Sequence, residues 1–179
     1  MAWKINCRAD AVEPQLFTEM REAGLYMVYM GLESGTEEGL KTLHKQISVE
    51  QNIRAVETLK EIGLIFEFGF MLLDPSSSFE SVRANVDFLR AIVGDGSAGA
   101  SFGRMVPYDG TPIKDDLERA GRLRGDVCKP DYDFLDPRLT LFYEEILKII
   151  DVTFRNRLSA GESWIRTFGS GRERFRFCT

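Results

Sequence analysis

The residues able to do chemistry gather at a few places in this chain of 179 residues. The first is Gly31-Leu32-Glu33-Ser34-Gly35, a carboxylate and a hydroxyl between glycines at the end of the apolar run that starts at Tyr26. A polar group where a buried strand turns into a helix is how α/β folds equip the mouth of a parallel sheet, so Glu33 reads as a ligand-binding residue. The second place is the row Lys4, Asn6, Arg8 and Asp10, alternating with Trp3, Ile5 and Cys7. The third is Glu67, set in the run LIFEFGFMLL. If one face of each strand looks into a barrel, Met27, Tyr29, Gly31 and Glu33 enter from one strand and Ile65, Glu67, Gly69 and Met71 from the next. Charges at this density are costly to bury unless they are paired or bound to something, and Gly31 and Gly69 leave room beside them for a ligand. A plainer reading stays open at this level. Glu33 can pair with Arg8 or Lys45 as a structural ion pair, and Glu67 can be satisfied by a neighbouring group.

Other chemistries find little support. Cys7, Cys128 and Cys178 are too scattered for a disulfide framework or a zinc site, so no metal ligand is assigned. His44 is the only histidine, and with no partner ligands it reads as a surface residue. A net charge of −5 and a pI near 5.1 give no broad basic footprint for nucleic acid. No apolar run approaches the roughly 20 residues of a membrane span, and the N-terminus lacks the apolar core of a signal peptide. The expected setting is soluble and cytoplasmic.

These residues must be held by regular elements, and the hydrophobic pattern supplies them. Period-2 alternation predicts a strand over 3–10, the apolar run at about 26–32 reads as a second, buried strand, and LIFEFGFMLL reads as a third buried on both faces. A fourth is expected at about 100–106, running into the turn Pro107-Tyr108-Asp109-Gly110-Thr111-Pro112. Between them, Pro14 opens a helix carrying Leu16, Met20 and Ala23, stopped by Gly24. Ser34 and Glu37 fit a capping box for a short helix. Val49, Ile53, Val56, Leu59 and Ile62 mark a long one between Ser48 and Gly63. Phe79, Val82, Val86, Leu89 and Val93 mark another. Beyond the turn, a short helix at 113–120, an irregular loop at 121–137 and a long helix at 139–154 are expected, with a frayed or loosely docked basic tail. The order βαβαβαβ implies a parallel sheet with right-handed crossovers, half of a barrel or a small open sheet.

The runs W-K-I-N-C-R-A-D, E-M-R-E-A-G-L, G-L-E-S-G-T-E-E-G-L-K-T-L-H-K and F-G-F-M-L-L-D-P resemble, in that order, the second half of the catalytic barrel of radical S-adenosylmethionine (radical SAM) enzymes. The likeness runs from about Trp3 to Leu123 and is greatest to the branch with an N-terminal cobalamin-binding domain, where the Pro-Tyr-x-Gly-Thr-Pro turn is also familiar. It implies an α/β fold, a partial, half TIM-like (β/α) barrel of about four parallel strands over 1–123, followed by a helical extension and tail over 124–179.

The resemblance also implies roles. Glu33 and Ser34 fall where that family contacts the ribose and methionyl part of S-adenosylmethionine, and a carboxylate suits ribose hydroxyls or an ammonium. Lys45 matches a basic position that meets the methionine carboxylate. Met71 and Leu72 lie on the strand whose backbone flanks the adenine, although the family's usual Gly-x-Pro is here Leu73-Asp74-Pro75. Arg8 and Arg104 are placed to meet substrate or cofactor inside the barrel. The implied cofactors are S-adenosylmethionine, a 4Fe-4S cluster and, in that branch, cobalamin. The Cys-x-x-x-Cys-x-x-Cys loop that holds the cluster is not in this sequence, so its ligands are expected in a preceding part of the same enzyme, without which this chain is inactive.

Two readings of other classes remain. One is a stand-alone α/β binding module, in which exposed sheet edges pair with a second copy as a homodimer. The other is a sugar-phosphate or nucleotide enzyme on a small sheet, against which a carboxylate at the strand end argues.

Overall fold

In the computed structural model, which describes residues 1–159, the alternation in Trp3–Arg8 builds β1, with Lys4, Asn6 and Arg8 exposed and Trp3, Ile5 and Cys7 partly covered. A 3-10 turn at Ala9–Ala11 follows, and α1 spans Pro14–Glu22 with proline in its first turn and the Glu13 carboxylate capping two backbone amides. Its buried residue is Phe17, whereas Leu16, expected on the inner stripe, is exposed. Strand β2 is Leu25–Glu33, and α2 is Glu37–Thr42. The cap of α2 is Thr36, whose hydroxyl accepts from Gly39 N, so the expected Ser34–Glu37 box does not form. The long helix α3, Val49–Ile62, carries the Ser48–Gln51 capping box and ends on left-handed Gly63.

Strand β3 is Ile65–Leu73, helix α4 is Phe79–Val93 and β4 is Ala98–Arg104. The four strands form one sheet in the order β1-β2-β3-β4, every neighbouring pair parallel, as the βα alternation implies. This is the partial (β/α) barrel architecture expected from the sequence.

One face of the sheet is core. Val28, Met30 and Leu32 of β2 and Phe66, Phe68 and Phe70 of β3 are buried with Val56 and Leu59 of α3. Phe70 stacks on Phe88 of α4 with centroids 5.9 Å apart. The other face stays open. Tyr29 and Ile65 are exposed, and Glu67, Gly69 and Met71 are only partly covered, so β3 is not buried on both sides as its apolar run suggested. The run misleads because Ile65 and Met71 are apolar residues on the open face. On α4 the buried residues are Val82, Asn85, Phe88 and Ile92; of the expected stripe Val82 is buried and Leu89 and Val93 pack against the core, whereas Phe79 is exposed.

After β4, α5 spans Pro112–Arg119. The stretch expected to be irregular holds an antiparallel hairpin, β5 Leu123–Gly125 with β6 Pro130–Tyr132. Its two strands are too short and polar to announce themselves. The chain divides into two compact units, Met1–Leu135 and a second beginning at Asp136. In the second, α6 runs over Pro137–Ser159 and opens where the Asp136 carboxylate accepts from Arg138 N at 3.0 Å. The expected basic tail from Gly169 on lies outside the described residues. No helix among the described residues is long and apolar enough to cross a membrane.

Candidate functional site

The open face of the sheet is most polar at the carboxyl end of β2, and the local backbone explains how. Gly31 pairs with Gly69, yet Glu33 pairs with Phe70, so β2 carries one extra residue there. This bulge turns Glu33 to φ +63°, a left-handed conformation that costs a non-glycine residue about 1 kcal/mol or more. The other non-glycine residues with positive φ among those described are His44 and Gln46, which flank Lys45. Backbone strain therefore gathers on one member of an ion pair and on the two residues flanking the other, since Lys45 Nζ lies 2.9 Å from Glu33 Oε1 with both side chains about four-fifths covered. Strain persists only where surrounding contacts over-determine it.

Those contacts come from two helices. Asn52 of α3, fully buried, donates from Nδ2 to Leu32 O at 2.9 Å and Ser34 O at 3.2 Å. Asn85 of α4 accepts at Oδ1 from Gly35 N at 2.8 Å and Ser34 Oγ at 3.2 Å. Both asparagines thus clamp the turn that holds Glu33. Neither stood out in the sequence reading, although each is a polar residue at core spacing on an apolar stripe, which is the signal that marks such clamps. Ser34 is itself fully buried, its hydroxyl engaged with Asn85 and with Thr36 N, so its visible role is to shape the turn.

The remaining residues singled out in the sequence fall around this pair. Arg8 sits beside Gly31 in the register, holds Asp10 through two bonds of 2.9 and 3.0 Å, and donates to Lys45 O at 3.2 Å. It thereby braces the strained loop that presents Lys45. Arg8's hydrogen bond is the main influence holding the Asp10 carboxyl below its ordinary range. Met71 and Leu72 are partly covered at a second bulge, between Met71 and Leu73, where β3 runs beside β4. His44 is exposed.

Arg104 is not on the open face. Its guanidinium lies 4.2 Å from the Tyr132 ring centroid and 4.4 Å from that of Phe134, and pairs with Asp131 at 2.7 Å. The bulge in β3 and the docked hairpin draw it to the β5–β6 side, so it anchors the hairpin rather than facing the barrel interior.

Space beside the pair is set by glycine. A Cβ on Gly31 would stand 2.2 Å from Glu33 Oε1 and 2.8 Å from Lys45 Nζ, so only glycine lets both head groups lie over the strand. Glu33 Oε1 is taken by Lys45, whereas Oε2 accepts nothing from the described residues and points toward Gly69. The arrangement is an acceptor and a cation side by side over a glycine floor, suited to a ligand that carries both hydroxyls and a carboxylate.

Among the described residues no group of three His, Cys, Asp or Glu side chains is placed to hold a metal ion. Cys7 is half-buried, and burial, with Asp10 adding to it, pushes its thiol above the ordinary value, away from the thiolate that a cluster requires.

No known protein-family profile matches the chain. Its fold matches solved cobalamin-dependent radical SAM enzymes. OxsB, solved with aqua-cobalamin and S-adenosylmethionine bound, superposes with a TM-score of 0.76 at 18% identity over 86% of this chain and 29% of its own. TsrM from Kitasatospora setae, a radical S-adenosylmethionine methyltransferase, matches with a TM-score of 0.56 at 22% identity over 75% of this chain and 27% of its own. The sequence agrees with the fold. An uncharacterized methyltransferase of Pyrococcus horikoshii is 31% identical over 113 residues, 63% of this chain and 24% of that protein. The anaerobic magnesium-protoporphyrin IX monomethyl ester cyclase of Rubrivivax gelatinosus is 33% identical over 72 residues, 39% of this chain and 13% of its own. The barrel fold that the resemblance implied is therefore shared with solved cobalamin-dependent radical SAM enzymes. The chain spans no more than 24% of the length of these curated relatives.

Proposed function

We propose that the open face around Glu33 and Lys45 is one wall of an S-adenosylmethionine site, belonging to a radical SAM enzyme that cleaves this molecule to a 5′-deoxyadenosyl radical. Glu33 Oε2 accepts from ribose hydroxyls, Lys45 meets the methionyl carboxylate, Arg8 braces the Lys45 loop, and the backbone at Met71 and Leu72 flanks the adenine. The observation that carries this reading is the strain on Glu33 and around Lys45, maintained by two buried asparagines at the carboxyl end of a parallel strand. An ion pair needed only for stability requires no such backbone.

In enzymes of this kind a 4Fe-4S cluster supplies the electron for cleavage. The described residues do not fit it, and no step through it is assigned to this chain. No described residue is assigned to cobalamin.

Calorimetry with S-adenosylmethionine on the native chain and Glu33→Ala tests the site. Loss of a charged acceptor is expected to weaken binding by at least about tenfold, or ~1.5 kcal/mol. Equal affinity for both proteins removes Glu33 from the site. The 2.9 Å contact with Lys45 favours a second reading, a structural pair alone. That reading predicts lowered stability in Glu33→Ala and no measurable binding to either protein.

A further inference from the structure

Below the Gly31–Gly69 level, toward the amino ends of the strands, the sheet carries a second polar row. Asn6, Tyr29, Glu67 and Gly99 are successive register partners across β1, β2, β3 and β4. Asn6 is exposed, Tyr29 is 38% exposed and Glu67 is partly covered, all on the open face. Two glycines shape the row. A Cβ on Gly69 would stand 2.7 Å from Tyr29 Oη and 3.9 Å from Glu33 Oε2, so the phenol reaches up and the carboxylate reaches down onto the same bare backbone. A Cβ on Gly99 would stand 3.1 Å from Glu67 Cγ, so the Glu67 side chain lies across that glycine.

Glu67 differs from Glu33 in its electrostatics. Glu33 is neutralised by Lys45 and Asp10 by Arg8, whereas Glu67 has neither an ion pair nor a hydrogen bond among the described residues. Lys4, on the same face of β1, does not pair with it. A half-covered carboxylate beside a phenol and over a glycine offers acceptors and one hydroxyl donor, with negative charge and no cation paired to it among the described residues. Such a level attracts a donor-rich or cationic group and repels an acid.

We propose that Tyr29 and Glu67 form the subsite for the second reactant, and that they select a substrate presenting an amino group flanked by hydroxyls over an acidic one. Glu67 receives the ammonium, Tyr29 hydrogen-bonds a neighbouring hydroxyl, and Gly69 lets that hydroxyl approach the Glu33 level. The identification as a second-reactant subsite rests on the reading of Glu33 and Lys45 as the S-adenosylmethionine wall; the charge preference does not.

The test uses the full chain and two matched probes, D-glucosamine and D-glucuronate, which share a pyranose ring but carry opposite charge. Saturation-transfer NMR titrations are made with and without S-adenosylmethionine. Saturable binding of glucosamine and none of glucuronate is expected. Glu67→Gln weakens glucosamine about tenfold by removing a charge-assisted hydrogen bond, Tyr29→Phe weakens it less, and both leave S-adenosylmethionine affinity unchanged. Equal binding of the two probes, or glucosamine affinity unmoved by both variants, overturns the proposal. The two readings fail separately. Probe discrimination without S-adenosylmethionine binding discards the wall assignment and keeps the Glu67 preference. Binding of S-adenosylmethionine without probe discrimination discards the subsite.

Discussion

Gly31→Ala separates the ligand role of the Glu33–Lys45 pair from its role in stability. The new methyl group would stand 2.2 Å from Glu33 Oε1 and 2.8 Å from Lys45 Nζ. Ordinary contact needs about 3.5 Å, so the carboxylate must withdraw by more than about 1 Å, beyond the reach of its present hydrogen bond to Lys45. Both clashing groups are the ends of flexible side chains, and Gly31 has an ordinary backbone, so the fold itself loses little. A partly exposed pair contributes about 1 kcal/mol at most. The urea midpoint is therefore expected to fall only slightly, by the equivalent of about 1 kcal/mol. Affinity for S-adenosylmethionine, which needs both head groups in place, is expected to fall about tenfold or more, as in Glu33→Ala. Adding Glu33→Ala to Gly31→Ala then costs little further affinity, because the first change has already removed the interaction. Full affinity in Gly31→Ala refutes the placement of ligand over this strand. A large loss of stability refutes the separation of the two roles.

Asn85→Ala strips Gly35 N and Ser34 Oγ of their common acceptor in a buried setting and is expected to cost about 1–3 kcal/mol in chemical denaturation, with ligand affinity falling as Glu33 relaxes from its strained backbone; a variant of native stability removes the clamp from the account. Asp74 gives a pH dependence of definite sign. Burial raises its carboxyl above the ordinary range, opposed in part by hydrogen bonds from Ser76 and helped by the charge of Glu38. The fold thus holds the proton more tightly than the unfolded chain does, so this contribution to stability is complete below the ordinary carboxylate value and is lost as pH rises through the raised one. Asp74→Asn keeps an acceptor for Ser76 without the charge, and its advantage over the native chain should grow across that window in denaturation midpoints taken as a function of pH. Parallel curves would show that Asp74 is not the titrating group.

Much of the architecture was legible locally. Alternation in Trp3–Arg8, the apolar run within Leu25–Glu33 and the stripe and caps of Val49–Ile62 are written in near neighbours, because strand and helix periodicity and capping act over a few residues. The open face of β3 was less legible, since an apolar run cannot say whether its second side meets helices or space. The cap at Thr36 displaced the one expected at Ser34, because Ser34 had a stronger use beneath the turn, bonded to a helix 51 residues away in sequence. Arg104 was misplaced for the same kind of reason: the aromatic pair that holds it belongs to a hairpin of short polar strands.

The sequence by itself determined that a carboxylate stands at the carboxyl end of a parallel strand, with a lysine downstream and glycines beside it. Those are matters of residue type and periodicity. Only the tertiary structure decided that Glu33 and Lys45 meet, that Glu33 and the two neighbours of Lys45 adopt strained backbone, and that Asn52 and Asn85 from two helices clamp the turn carrying Glu33. A bulge and a pair of long-range hydrogen bonds depend on how distant segments pack, and no local pattern specifies that.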